Sequence, residues 1–262
     1  MIDLKKARQA FKKYISQYKQ DKLGYNLKVI HIYKVVENSN KIATMMNLSE
    51  EDINLAELIA LLHDIGRFEE LKVFDQFESV KFDHANYGAH ILFDKGLIRN
   101  FIEDDKYDLI IKKAIINHNK YKIEDNLDKK TLLHAKIIRD ADKLDNFRVK
   151  NEEKIEAIFP SIVKTQEELE TSVISDKVYE TIIQNRCVDI HDRKTPLDYW
   201  LCVLAFIFDI NFKESLEIIK EKNYINDMID RIEYKDIETQ YRMNKIRKTT
   251  NKYIIDRINE KK

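Results

Sequence analysis

Glycine and proline are scarce in this chain of 262 residues, four of one and two of the other. Tight hairpins depend on those residues, whereas Leu, Ile, Lys, Glu and Ala fill helical patterns, so an all-α fold is expected. Cysteine is equally sparse, and Cys187 and Cys202 are too few for a disulfide framework. No charge excess exists either: Lys plus Arg and Asp plus Glu both number 46. A balanced chain has no global field that selects nucleic acid or an anionic membrane, so any recognition of phosphate must be local. The longest apolar run, Tyr199 to Phe208, is about half the ~20 residues that a transmembrane helix needs. The opening Met-Ile-Asp-Leu-Lys-Lys lacks the apolar core of a signal peptide. A soluble, cytoplasmic protein with no nucleic-acid or membrane partner is the expectation.

What the chain does have is Ala60-Leu61-Leu62-His63-Asp64-Ile65-Gly66-Arg67, an apolar helical run that ends in His-Asp and is stopped by glycine. A buried imidazole beside a buried carboxylate is costly unless compensated, and a divalent metal is the compensation that needs both at once. Helical spacing surrounds this stretch with further candidates. Residues 3 to 20 read as an amphipathic helix capped by Asp3. From Asn26 to Asn47 a second helix turns His31 inward, one turn from Leu27 and one from Val35. Ser49-Glu50-Glu51-Asp52 opens the helix that leads to His63. A mixed polar and aromatic segment, Arg67 to Phe82, precedes a helix capped by Asp83, ended by Gly96 and carrying His84 on the face of Tyr87, Gly88 and Ile91.

A helix from Asp104 to Asn119 stacks His118 with Ile111, Ala114 and Ile115, and one over residues 129 to 149 aligns Asp142 and Asp145 with Ala135 and Ile138. Beyond Lys150 no further ligand cluster stands out. Pro160 and Pro196 punctuate shorter helices there, Tyr199 to Phe208 reads as a buried helix, and Ile237 to Ile258 as a charged amphipathic one. Four imidazoles and two carboxylates on inward faces of different helices are the usual way a helical bundle builds a metal site, here with donors for one ion or two.

The order His31, then His63-Asp64, then Asp142 on a helical core resembles the HD phosphohydrolase superfamily. His63-Asp64-Ile65-Gly66 is the HDIG form, and Asp140-Ala141-Asp142-Lys143-Leu144-Asp145 looks like the closing helix of that family, which places its ligand at Asp142. His84 and His118 lie between them in the order used by the binuclear branch. The resemblance covers roughly residues 25 to 150. It implies an HD-type, metal-binding helical domain over residues 1–150, with residues 151–262 as additional C-terminal helices packing on it and a candidate lid or specificity region. Two branches fit poorly. Enzymes that cleave cyclic di-GMP place a Gly-Tyr-Pro where this chain has Asn117-His118-Asn119-Lys120-Tyr121, and Rel-type alarmone hydrolases carry Glu-Asp where this chain has Arg67-Phe68.

The activity implied is metal-dependent hydrolysis of a phosphoester bond, in a nucleotide or related small phosphorylated molecule, by a metal-activated water. On this reading His31, His63, Asp64 and Asp142 hold one ion and Asp64, His84 and His118 the second. Mixed imidazole and carboxylate donors point to Fe or Mn, with Mg, Co, Ni and Zn left open. Arg67, one turn beyond Asp64, is the candidate clamp for a substrate phosphate, a pairing with Glu69 or Glu70 being its competing role. Lys143, beside Asp142, is a second catalytic candidate, with Asn119, Tyr121 and Asp145 behind it. Arg186, Arg193 and Lys194 are candidates for a lid contact. His90, His134 and His191 fit no ligand face. Two alternatives use the same resemblance: an HD-like mixed-valent di-iron oxygenase, which takes the same four His and two Asp, and a non-catalytic nucleotide-sensing module, which typically loses ligands. A homo-oligomer through the long C-terminal helix is left open.

Overall fold

The computed structural model describes residues 2–18, 23–74, 82–159 and 162–260. Every regular element among them is helical, as the shortage of turn-forming residues implied. Helix α1 (Leu4–Ile15) is capped by Asp3, whose carboxylate accepts the Lys6 N–H at 2.9 Å, and it buries Ala7, Phe11 and Ile15 along one stripe. Helix α2 (Leu23–Met45) begins three residues before the expected Asn26 and stops just ahead of Asn47, which takes a φ of 54°. Helix α3 (Glu50–Leu62) starts on Ser49, whose hydroxyl accepts the Asp52 N–H at 3.2 Å, with Glu50, Glu51 and Asp52 at the positive end of its dipole. Its residues from Leu58 to Leu62 are all buried, so the last turn of α3 is apolar around its circumference, and the helix packs chiefly on α2.

The segment after Gly66, for which the sequence suggested no helix, opens as α4 (Arg67–Phe74), and its remainder over 75–81 lies outside the described residues. The reason is Phe68, wholly buried, with its ring 6.0 Å from Phe11, 6.5 Å from Tyr14, 5.7 Å from Tyr18 and 5.6 Å from Tyr25. Those partners come from elements remote in sequence, and together they anchor the chain directly after the glycine.

Helix α5 (His84–Ala89) is capped by Asp83, runs on through a π-helical turn at His90–Asp94, and is ended by Gly96 in the left-handed region at φ 74°. Helix α6 (Asp108–Asn117) starts four residues later than Asp104, because that side chain closes a turn on the Lys106 N–H at 2.7 Å instead. Helix α7 (Lys129–Glu152) is long. Within it lies the boundary between two compact units, Met1–Asp142 and Lys143–Lys262.

The second unit continues with α8 (Ile155–Ile158), α9 (Gln166–Glu170), α10 (Asp176–Ile183), α11 (Pro196–Leu204), α12 (Lys213–Glu221), α13 (Tyr224–Asp230) and α14 (Ile237–Asn259). Pro196 stands in the first turn of α11 behind a Thr195 and Asp198 capping box, where a missing N–H costs nothing. The Trp200 ring is core, wholly buried, with its indole N–H donating to the Met228 carbonyl at 3.3 Å. No helix among the described residues is long and apolar enough to cross a membrane.

Phe68→Ala should lower the unfolding free energy by about 3–5 kcal/mol, the range for deleting a buried phenyl ring. Urea denaturation followed by circular dichroism measures it, and a loss below about 1 kcal/mol would show that the aromatic cluster does not anchor α4.

Candidate metal centre

Six side chains from five helices meet inside the first unit: His31 on α2, His63 and Asp64 at the end of α3, His84 opening α5, His118 ending α6, and Asp142 on α7. All are buried except Asp142, whose side chain is 20% exposed. His63 and His118 are placed by the same local device. Each follows the last residue of its helix, and its Nδ1 lies 2.7 Å from the carbonyl three residues back, Ala60 for one and Ile115 for the other. A carbonyl only accepts, so Nδ1–H donates and Nε2 is left as the lone-pair atom turned to the site.

Gly66 determines how His84 arrives. A Cβ at that position would stand 2.2 Å from the His84 carbonyl oxygen and 2.9 Å from the Gly88 nitrogen, so only glycine lets α5 lie directly on the turn that follows Asp64. Gly88 answers from the other side, where a Cβ would press on Ile65 at 3.3 Å.

The two oxygens of Asp64 face different partners. Oδ2 is 3.4 Å from His63 Nε2 and 3.7 Å from His31 Nε2, while Oδ1 is 3.4 Å from His84 Nε2 and 3.5 Å from His118 Nε2. Asp142 Oδ1 lies 3.1 Å from His31 Nε2 and 4.0 Å from His63 Nε2, and the Nε2 atoms of His84 and His118 are 3.2 Å apart. Donors sharing an ion at bond lengths of about 2.1 Å are themselves roughly 3–3.5 Å apart, which five of these seven separations match, the other two being wider at 3.7 and 4.0 Å. The donor set passes a second test. His63 Nε2 and Asp64 Oδ1 are buried and have no hydrogen-bond partner in the protein, a cost of about 1–3 kcal/mol each that cations bound at the site would remove.

Charge states suit this role. Burial by itself would raise the pKa of Asp64, but the Lys28 ammonium beside it outweighs burial and the carboxyl is held well below its usual range. Asp142 is likewise held low, with the hydrogen bond and charge of His31 overcoming burial. His84 is pushed well below the usual imidazole value by burial and by the positive charge of Arg67, which keeps it in the neutral form that ligates.

Around the six lie further charged groups. Lys28 Nζ is 2.8 Å from Asp64 Oδ2. Arg67 holds Glu70 at 2.6 Å through Nη1, while its Nε is 3.7 Å from Asp64 Oδ1, so of the two acids named for it the fully buried Glu70 is the partner. Lys143, a catalytic candidate by its place beside Asp142, belongs to the second unit, where its ammonium is held by Asp209 at 2.8 Å. Asp145 pairs with Arg148 at 2.5 Å. The remaining histidines take bland positions: His90 pairs with Asp94 at 2.9 Å, His134 with Asp52 at 3.3 Å, and His191 is exposed. Arg193 covers the Tyr199 ring at 4.2 Å. Lys28 and Arg139 did not stand out in the sequence. Each precedes a ligand by one helical turn, Lys28 before His31 and Arg139 before Asp142, and that spacing is the signal that finds them.

Residues 29–146 match the family model described as HD domain. The matched span is an HD domain and contains all six converging side chains. No curated protein and no solved structure matches the chain.

Gly66→Ala should force α5 off the turn, lowering Tm by several degrees, as a loss of about 1–2 kcal/mol does in a chain of about this size, and weakening metal binding at the His84 side. Differential scanning calorimetry and a Mn²⁺ titration of the same sample check both. Acid should also act on the metal-free fold. Because the folded pKa of Asp142 lies below the unfolded value near 3.8, its contribution is complete above that value and fades as pH falls beneath it. The urea midpoint of the wild type should therefore drop more steeply between about pH 4 and pH 2 than that of Asp142→Asn.

Proposed function

We propose that the HD unit is a divalent-metal-dependent phosphohydrolase acting on a small phosphorylated molecule, a nucleotide or related phosphoester. The observation that carries this reading is the Asp64 carboxylate, with imidazoles ranged on both of its oxygens. His31, His63, Asp142 and Asp64 Oδ2 would hold one ion, and Asp64 Oδ1, His84 and His118 a second. Donors of this mixed kind favour Fe or Mn, with Mg, Co, Ni and Zn as weaker candidates. When bound, such a pair supplies an acidified water and takes up charge developing on phosphoryl oxygens.

The chain's own residues do the rest. Asp64 stays ionised and shared between the two donor sets. His63 and His118 keep their Nε2 atoms aimed inward because their Nδ1–H groups are tied to helix carbonyls. Lys28 and Arg67 bring positive charge to either side of Asp64, and Arg67 is steadied by Glu70, so together they are the candidates to hold the oxygens of a substrate phosphate. Lys143 is not carried into this role, since its ammonium is engaged by Asp209. Retention of all six ligands also favours an enzyme over a nucleotide-sensing module.

The test is phosphate or nucleoside release from a panel of nucleotides and sugar phosphates by the Mn²⁺-loaded protein under anaerobic conditions. Release is expected, falling at least about 100-fold in Asp64→Ala, the scale on which loss of one preorganised electrostatic group acts. Silence across the panel with every one of the six metals would overturn the reading. Consumption of O₂ by iron-loaded protein without any anaerobic turnover would assign the di-iron oxygenase chemistry instead.

A further inference from the structure

The last carbonyls of a helix have no intrahelical donor and carry the negative end of its dipole. At the end of α6 this shortage of donors falls on the residues around His118. A single side chain from another helix meets it. The guanidinium of Arg139, only 2% exposed, places Nη1 2.8 Å from the Asn117 carbonyl, 3.3 Å from that of His118 and 2.5 Å from that of Lys120, with Nη2 3.5 Å from that of Tyr121. Asn117 tightens the same loop, donating from Nδ2 to the Lys113 carbonyl and accepting the Glu124 N–H on Oδ1, both at 2.9 Å. The carbonyls on both sides of the His118 ring along the chain are therefore tied to one guanidinium, chiefly through its Nη1.

We propose that Arg139 is a positioning residue that fixes His118, and through it the ion on the Oδ1 side of Asp64. The inference rests on the two-ion reading above and deepens it. Arg139 stands one turn before Asp142 on α7. One rigid helix thus gives a ligand to the first donor set and clamps the loop that carries a ligand of the second. A lysine in its place keeps the charge, but its ammonium ends one bond short of Nη1, the atom that reaches the Asn117, His118 and Lys120 carbonyls, and it puts no second nitrogen toward Tyr121.

Mn²⁺ titration of the metal-free protein, with free ion counted by electron paramagnetic resonance, decides the matter across the wild type, Arg139→Lys, Arg139→Met, His118→Ala and the double variant His118→Ala with Arg139→Lys. The wild type should take up two ions. Arg139→Lys and Arg139→Met should weaken the second ion about 10–100-fold, as loss of a group supporting a ligand does, and leave the first unchanged. In the His118→Ala background Arg139→Lys should change ion binding no further, because both substitutions remove the same interaction. Arg139→Lys that binds both ions as the wild type does, or weakens both equally, or adds its full penalty on top of His118→Ala, would overturn the proposal. Should Arg139→Met fail to fold, Arg139→Lys, which retains the buried charge, still separates these outcomes. A wild type that binds a single ion would instead sink the two-ion reading itself.

Discussion

A carboxylate withdrawn from water at the centre of the first unit, with four imidazole nitrogens between 3.4 and 3.7 Å from its two oxygens, is the constraint from which the rest of that unit can be derived. An unpaired buried charge costs several kcal/mol, so Asp64 requires cations close by in every state of the protein. The chain supplies two of its own, Lys28 at 2.8 Å and Arg67 at 3.7 Å, one on each oxygen. They keep the carboxylate ionised with no other cation beside it.

Bringing histidines from remote helices to one carboxylate demands close backbone approach, and the sequence meets that demand with small residues in few places. The turn at Gly66 is the tightest of them, since it lets the first residue of α5 sit against the turn rather than a side chain's width away. Phe68 then fixes the chain beyond the turn by filling a pocket of four aromatic rings. A short polar connection is thereby made rigid on both sides of the ligand pair, with packing on one side and backbone contact on the other.

How much of this could be read from the order of residues follows from the range over which each signal acts. Helices α1, α2, α3, α5 and α7 announce themselves through local periodicity and through caps such as Asp3, Ser49 and Asp83, whose hydrogen bonds span three residues. The inward placing of the six candidate ligands rests on the same periodicity, and the structure brings those side chains together. Helix α4 was illegible because its stabilising contacts are with Phe11, Tyr14, Tyr18 and Tyr25, which no local window contains. Asp104 was mistaken for a helix start because a side chain that closes a turn and one that caps a helix look alike in sequence. Lys143 looked catalytic beside Asp142, yet neighbours along a helix point in different directions, and its partner Asp209 lies far along the chain. Lys28 and Arg139 carried the opposite ambiguity, for a basic residue on a charged helix reads as a solvated one until its surroundings are known.

The orientation of the imidazoles shows how a helical fold can hold a histidine pair with backbone carbonyls, where metal sites commonly use acids. A ligating histidine needs its second nitrogen anchored to an acceptor that sets the tautomer and raises the basicity of the first. For His63 and His118 that acceptor is a backbone carbonyl in the last turn of the helix that ends at the histidine. Carbonyls there are short of donors and sit at the negative end of the dipole, so they act on the ring much as a carboxylate would. A helix that stops at a ligand therefore provides the ligand, its anchor and its electrostatic support within a single turn. This gives a physical reason for both histidines to follow the last residue of their helices.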